Sequence, residues 1–181
     1  MSAAGAEVLT GAVRRAEPAD AASLSLLGSA TFLESYAHLL PVGDILAHTA
    51  KQHAPAQYAR WLEDADAACW LAEHDTGGAP LGYAVATPPD LPLPDLGPGD
   101  LEIRRIYVLH RYQGSGLGRR LMQSVDAHAA AIGASRLLLG VYSRNEAALA
   151  FYARQGFVRA GTRQFRVGAH DYFDYILQRI L

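Results

Sequence analysis

The chain has 181 residues, of which 50% are hydrophobic and 19% are charged, and it carries a formal net charge of −2. These values suit one globular domain with a full apolar core. The sequence has no basic block, so electrostatics give no support for a nucleic-acid partner. It also has no signal-peptide pattern and no apolar run of about eighteen residues, so we expect a cytoplasmic protein without a membrane partner.

We expect a flexible leader over residues 1–10, which are small and weakly patterned, and a single domain over residues 11–181. The first half of this domain predicts one strand, three helices and two further strands. In chain order these are a strand at 13–16, helices at 18–36, 42–49 and 55–62, and strands at 67–73 and 81–87. A glycine-containing turn at 76–80 joins the last two strands as a hairpin.

Five of the nine prolines lie between Pro88 and Pro98, so we expect an extended loop over 88–99. Two strands of one sheet flank this loop, which favours a stiff connection over a polyproline ligand for another protein. The remaining strands are predicted at 101–109, 136–141, 157–167 and 171–177, the last two forming a hairpin around Gly168. Helices separate the earlier ones. This order predicts an α/β fold with a mixed, mostly antiparallel central sheet and helices on both faces.

A glycine-rich segment, Gln113-Gly114-Ser115-Gly116-Leu117-Gly118, lies between a predicted strand and a predicted helix. In that order, several free backbone N–H groups and the positive end of a helix dipole face one spot, which fits a pyrophosphate. Glycines suit it because a Cβ would hold the phosphates away. The spacing is neither that of a P-loop nor that of a dinucleotide-binding fold. Taken alone, the segment is equally compatible with a tight turn that binds no ligand.

Two further motifs flank this segment in a fixed order. The first is Leu-Glu-Ile-Arg-Arg-Ile-Tyr-Val at 101–108, and the second is Asn-Glu-Ala-Ala-Leu-Ala-Phe-Tyr-Ala-Arg-Gln-Gly-Phe at 145–157. Together the three motifs resemble the GNAT-type N-acetyltransferases, strongly over 100–168 and before that only in the order of elements. The resemblance implies the GNAT fold, in which the fourth and fifth strands splay apart, and acetyl-coenzyme A as the acetyl donor.

The same resemblance assigns the coenzyme to backbone groups at the splayed edge, to the glycine-rich segment and to the start of the following helix. Asn145 is also expected to cap its own helix, as asparagine commonly does. The implied coenzyme-binding residues are Ile106, Tyr107, Val108, Gln113, Gly114, Ser115, Gly116, Leu117, Gly118, Arg119 and Asn145.

Tyr152 matches the family tyrosine that protonates the coenzyme A thiolate. It lies seven residues after Asn145, so both share one helix face. A phenol of pKa ~10 facing a thiol of pKa ~8.5 makes full transfer uphill by about 2 kcal/mol, which favours a hydrogen bond that strengthens as charge develops on sulfur. The alternative is that Tyr152 is a core aromatic residue beside Phe151 and Phe157.

Glu102 is the expected general base, because a carboxylate inside a covered strand is costly unless it is paired or functional. Some family members carry a glutamate at this spacing before the glycine-rich segment, and others carry an acid on the fifth strand, where this chain has Gly140. The alternative is an ion pair with Arg104, which shares its strand face by alternation.

The resemblance extends to spermidine/spermine acetyltransferases through the first helix, where Phe32, Glu34 and Tyr36 are the expected acceptor-site residues. These helix residues fit core positions at helical spacing equally well, and for Phe32 a core position is the preferred interpretation. Acidic residues could line the site and attract a polyamine. They are Glu34, Glu102, Asp171 and Asp174.

We therefore expect an N-acetyltransferase that transfers acetyl from acetyl-coenzyme A to a primary amine of a small molecule, with a polyamine as the first candidate. The alternatives are a protein N-terminal or lysine acetyltransferase, and a non-catalytic acetyl-coenzyme A sensor. No metal is expected, since metal-binding motifs are absent and His48 and His53 are expected at the surface. Cys69 reads as a small core residue. A homodimer is compatible with this interpretation.

Overall fold

The computed structural model describes residues 11–167 and 170–181. The expected leader at 1–10 and Gly168 lie outside these residues. The described strands are β1 (Gly11–Arg15), β2 (Ala68–His74), β3 (Pro80–Thr87), β4 (Asp100–Val108), β5 (Arg136–Tyr142), β6 (Val158–Val167) and β7 (His170–Ile180). The described α-helices are α1 (Ala21–Tyr36), α2 (Val42–Gln52), α3 (Pro55–Glu63), α4 (Leu117–Ala131) and α5 (Glu146–Arg154).

The strands form one sheet in the order β1-β2-β3-β4-β5-β7-β6. Strands β4 and β5 pair in parallel, and every other neighbouring pair in the described residues is antiparallel. This confirms the mixed, mostly antiparallel sheet and the predicted order of elements. The largest shifts in helix boundaries are at the start of α1, which begins at Ala21 rather than residue 18, and at the end of α2, which continues to Gln52 rather than ending at residue 49.

Strands β4 and β5 pair over a short length and then diverge. Their described pairing covers only Asp100–Glu102 on β4 and Arg136–Leu138 on β5. Beyond that point β4 bonds to β3 on its other side, and β5 bonds to β7. Within the described residues, the facing edges of Ile103–Val108 and Leu139–Tyr142 therefore carry backbone N–H and C=O groups without a strand partner. The predicted splay is confirmed.

A β-bulge in β4 changes which side chains face which layer. Val85 pairs with Arg105, whereas the next residue, Ala86, pairs with Ile103, so Arg104 is the extra residue. Arg104 and Arg105 consequently share a face. After the bulge the alternation of side chains continues but is shifted by one residue. Ile106 therefore packs on the α4 side and Tyr107 packs on the α1 side.

Two apolar layers cover the sheet. On one side, α4 contributes Leu121, Met122 and Val125, all fully buried. On the other side, Leu24 and Leu27 of α1 pack against the sheet together with α3. The predicted placement of helices on both faces is confirmed. Cys69 lies in the second layer, as predicted for a core residue, and burial raises the pKa of its thiol to about 12.

The proline-rich loop at 88–99 contains no helix or strand, as expected. Its Leu91 packs onto Leu138 and Ile176 of the sheet. Arg136 holds the loop at its far end, because its guanidinium donates to Asp95 Oδ2 at 2.7 Å. The loop therefore lies fixed across one sheet face beside the splayed strands. No helix in the described residues is long and apolar enough to cross a membrane.

Candidate active site

The glycine-rich segment forms an open turn at the start of α4. Gly114 and Gly116 have φ angles of +79° and +88°, which side-chain-bearing residues rarely adopt, and Gly116 is the N-cap of the helix. A Cβ added at either glycine would have no protein atom within 4 Å. Gln113 Nε2 donates to Val108 O at 3.3 Å and ties the turn to β4. The turn thus presents backbone and open space at a helix N-terminus, which is the geometry that a pyrophosphate requires.

Asn145 begins the second helix of the site. Its side-chain oxygen accepts a hydrogen bond from Ala148 N at 3.1 Å, which confirms the predicted cap. The cap fixes the start of α5 at the end of β5, beside the opening between the splayed strands. The same amide remains a predicted coenzyme contact.

Tyr152 lies on α5 with its ring among core aromatic residues. It is 8% exposed, and its ring meets those of Phe151 and Phe157 edge-on at 5.4 and 5.8 Å. Burial, and then the nearby Tyr107, raise the pKa of its phenol well above 10. No hydrogen bond from its hydroxyl reaches another group in the described part of the chain. The Tyr152 hydroxyl is therefore protonated and free to donate a hydrogen bond. The packing of its ring is also that of a core residue, so both interpretations of Tyr152 remain open.

Glu102 is only 2% exposed and lies beneath the proline-rich loop. One oxygen accepts a hydrogen bond from Asp90 N at 2.7 Å. Arg104 Nη1 donates to both carboxylate oxygens, at 3.2 and 3.3 Å. This is the ion pair that the sequence left as the alternative for Glu102, and it anchors the loop to β4. The role of Glu102 as a base remains a prediction.

The three expected acceptor-site residues occupy different environments. Phe32 is buried and stacks on His48 with ring centroids 4.1 Å apart, so it has the core position that the sequence allowed. Glu34 is exposed and accepts from His110 N at 3.0 Å. Tyr36 lies near Tyr107, and burial raises the pKa of the Tyr36 phenol well above 10. Tyr36 is the one of the three that reaches the splayed region.

A buried ion pair joins β6 and β7 on the same sheet face. Asp174 is 5% exposed, and Arg163 Nε and Nη2 each lie 3.1 Å from its Oδ2. Burial raises the pKa of the Asp174 carboxyl. A Cβ at Gly140 would lie 2.5 Å from Arg163 Nη2, so the glycine on β5 leaves the space that the guanidinium fills.

Asp171, also expected to line the acceptor site, lies differently. Strand alternation places it on the face opposite Asp174, and it pairs with Arg166 at 3.1 Å. The side chains of Arg166 and Asp171 are 68% and 48% exposed. Asp171 therefore does not share the sheet face of Tyr36 and Asp174.

His53 belongs to a polar cluster that the sequence did not reveal, and its expected surface position is wrong. It is 4% exposed, with Nδ1 2.9 Å from Tyr58 Oη. Arg105 Nη1 donates to Tyr58 Oη at 2.6 Å, and Arg105 Nη2 donates to Gln52 O at 2.6 Å. Burial, and then Arg105, lower the pKa of His53 to about 2. The cluster ties the end of α2 to the bulge of β4.

Residues 34–157 match the acetyltransferase (GNAT) family. The chain belongs to this family. An uncharacterized N-acetyltransferase of Mycobacterium tuberculosis (strain H37Rv) is 35% identical over 162 residues, which cover 90% of this chain and 98% of the relative. The N-alpha-acetyltransferase RimI of the same organism is 36% identical over 98 residues, which cover 53% of this chain and 58% of that protein.

Solved structures share the GNAT fold. The PaiA N-acetyltransferase of Thermoplasma acidophilum, solved in complex with coenzyme A, has a TM-score of 0.74 at 14% identity over 95% of this chain and 99% of that one. The ribosomal-protein-S18-alanine N-acetyltransferase of Escherichia coli has a TM-score of 0.65 at 18% identity over 94% of each chain. The chain is thus a GNAT-family acetyltransferase. In residues 11–167 and 170–181, no three His, Cys, Asp or Glu side chains group as a metal site.

The buried His53 predicts a loss of stability in acid. Its pKa is lower in the folded chain than the ~6.5 of an unfolded histidine, so below pH 6.5 the unfolded state binds more protons. We expect this residue to reduce the free energy of unfolding by about 2 kcal/mol between pH 7 and pH 5. Urea titrations at both pH values should show a smaller change in His53→Gln. His74→Gln, which alters a partly exposed histidine at the end of β2, is the matched control; equal changes in all three proteins would contradict the prediction.

Proposed function

We propose that this GNAT enzyme transfers the acetyl group of acetyl-coenzyme A to a primary amine of a small molecule. The observation that carries the proposal is the open glycine turn at the start of α4, next to the splayed edges of β4 and β5. The turn offers N–H groups to a pyrophosphate, and the splayed edges offer backbone partners to an extended pantetheine arm. Residues 106–108 and 113–119, with Asn145, would hold the donor.

Bound acetyl-coenzyme A would supply a thioester carbonyl that an amine can attack directly. A backbone N–H on the open edge of β4 would stabilise negative charge on the carbonyl oxygen. Tyr152 would hold a proton at Oη for the departing sulfur, and its raised pKa supports a hydrogen-bond donor rather than a phenolate. Glu102 would act as the base through water. Its two oxygens already accept hydrogen bonds, so that role requires one of these bonds to be exchanged.

The charge around the acceptor region supports a primary amine more strongly than a polycation. Of the four carboxylates expected to attract a polyamine, three face an arginine, which offsets part of their attraction for a further cation. A polyamine is therefore one acceptor class to test among several. The pairs are Glu102 with Arg104, Asp171 with Arg166 and Asp174 with Arg163.

An amine panel tests this proposal. Release of free coenzyme A thiol should follow addition of at least one small primary amine, and polyamines, monoamines and amino acids form the panel. Peptides with free N-termini or lysine side chains test the protein-acetyltransferase alternative. If only peptides cause thiol release, the acceptor is a peptide or protein amine and the small-molecule proposal is wrong. Binding of acetyl-coenzyme A without turnover of any amine would favour the sensor.

The glycine turn provides a matched pair of variants. Gly116→Ala and Gly133→Ala both place a Cβ at positive φ in open space, at opposite ends of α4, and each should cost about 1–2 kcal/mol of stability. Only Gly116→Ala intrudes on the proposed phosphate site. We expect its acetyl-coenzyme A affinity, measured by calorimetry, to fall at least about tenfold. Equal affinities in the two folded variants would remove the turn from the donor site.

The proposed acid and base are tested by conservative changes. Tyr152→Phe and Glu102→Gln should each lower kcat by ~10²–10⁴, the usual contribution of a positioned proton donor or acceptor. Donor affinity should change little, because neither side chain is assigned to the pyrophosphate. If Glu102→Gln lowers the melting temperature but not kcat, the residue serves to anchor the proline-rich loop.

A further inference from the structure

Asp174 has one carboxylate oxygen that no neighbouring group uses. Both contacts from Arg163 end on Oδ2, and within residues 11–167 and 170–181 no hydrogen bond reaches Oδ1. In the same residues, the sole side-chain polar atom that is both sealed from solvent and unpartnered is Nε of Arg179. Oδ1 is therefore not sealed from solvent, although Asp174 as a whole is only 5% exposed.

Asp174 lies on the sheet face that also carries Glu102, beside the splayed strands. Asp174 pairs across the sheet with Tyr142 of β5 and with Arg163 of β6. Burial raises the pKa of the phenols of Tyr36 on α1 and Tyr107 on β4, and the nearby charge of Asp174 raises both further. Within residues 11–167 and 170–181, these four are titratable or charged neighbours of Asp174 on the elements packed against it. Because the phenols of Tyr36 and Tyr107 stay neutral at neutral pH, Arg163 and Asp174 supply the charge beside them.

Glu102, the other buried carboxylate on this face, is a poorer partner for an incoming amine. Its oxygens both accept hydrogen bonds, and the proline-rich loop covers it. An amine reaching Glu102 would have to displace Arg104 or Asp90 N, whereas Oδ1 of Asp174 needs no displacement. Gly140 contributes to this difference, because it allows Arg163 to hold Oδ2 and leave Oδ1 open.

We propose that Oδ1 of Asp174 binds the acceptor's ammonium group and accepts one proton from its nitrogen before attack, which leaves to Glu102 the second proton, released after attack. An N–H bond breaks and an O–H bond forms at Oδ1, so an ammonium and a carboxylate become an amine with a free lone pair and a carboxylic acid. Burial favours this exchange on both sides, because it raises the pKa of a carboxyl and lowers that of an amine. The inference rests on the proposed acetyl transfer and assigns its acceptor subsite to a single primary ammonium group.

The test compares Asp174→Asn with Asp171→Asn, using the amine that wild type acetylates fastest. Asp171 is a control from the same strand, also paired with an arginine but on the opposite face. We expect Asp174→Asn to lower kcat/KM for the amine by ~10²–10⁴ at pH 7 and Asp171→Asn to leave it unchanged. The asparagine cannot take the proton, so the defect should shrink toward pH 9.5 as free amine becomes abundant. A loss of the same size at every pH, or no loss, would overturn the proposal.

Folding is controlled with a second variant. Asp174→Asn leaves a partly buried arginine without its carboxylate, whereas Arg163→Met/Asp174→Asn removes both charges and should keep a near-native melting temperature. The double variant should bind acetyl-coenzyme A normally and still acetylate the amine at least about a hundredfold more slowly. Near-native turnover by the folded double variant would overturn the assignment of Asp174. If wild type itself acetylates no amine, the proposed function fails first, and this subsite fails with it.

Discussion

Strands β4 and β5 join the two antiparallel halves of the sheet and then separate, which leaves a gap between them. Three residues of parallel pairing at Asp100–Glu102 connect the antiparallel halves, and the strands then diverge. Backbone groups left without partners in a protein interior are costly, so an edge of this kind is stable only if water or a ligand satisfies it. The glycine turn, the cap of α5 and the buried carboxylates all lie around this gap. The fold therefore places its backbone groups without strand partners and its buried carboxylates around the same gap.

The charged residues on the acceptor side follow the same logic. Glu102 and Asp174 are both buried, and each is paired with an arginine from β4 or β6. A buried pair is weak evidence for stability, since desolvation offsets the attraction. The two pairs differ in what they leave available: Glu102 is fully used by Arg104 and the loop, while Asp174 retains one free oxygen. Asp174 can therefore bind an acceptor without losing an existing contact, whereas Glu102 cannot.

Much of this arrangement could be predicted from the sequence, because it depends on local patterns. Glycines at 114 and 116 mark the turn, Asn145 marks a helix start, and alternating apolar runs mark the strands. The predictions failed where contacts join distant segments. The burial of His53 depends on Arg105 and Tyr58, and the pairing of Arg163 with Asp174 depends on the register of β6 against β7. Neither register nor side-chain contact between elements has a signature in residue spacing.

The bulge at Arg104 shifts the alternation of side chains along β4 by one residue. Upstream of it, even-numbered residues such as Glu102 face the α1 layer; downstream, the odd-numbered Tyr107 faces that layer instead. Loss of one residue here would exchange the inner and outer surfaces of the whole edge that lines the gap, turning Tyr107 toward α4. The length of β4 is thus constrained more strictly than its composition, so substitutions in this strand are more easily accommodated than insertions or deletions.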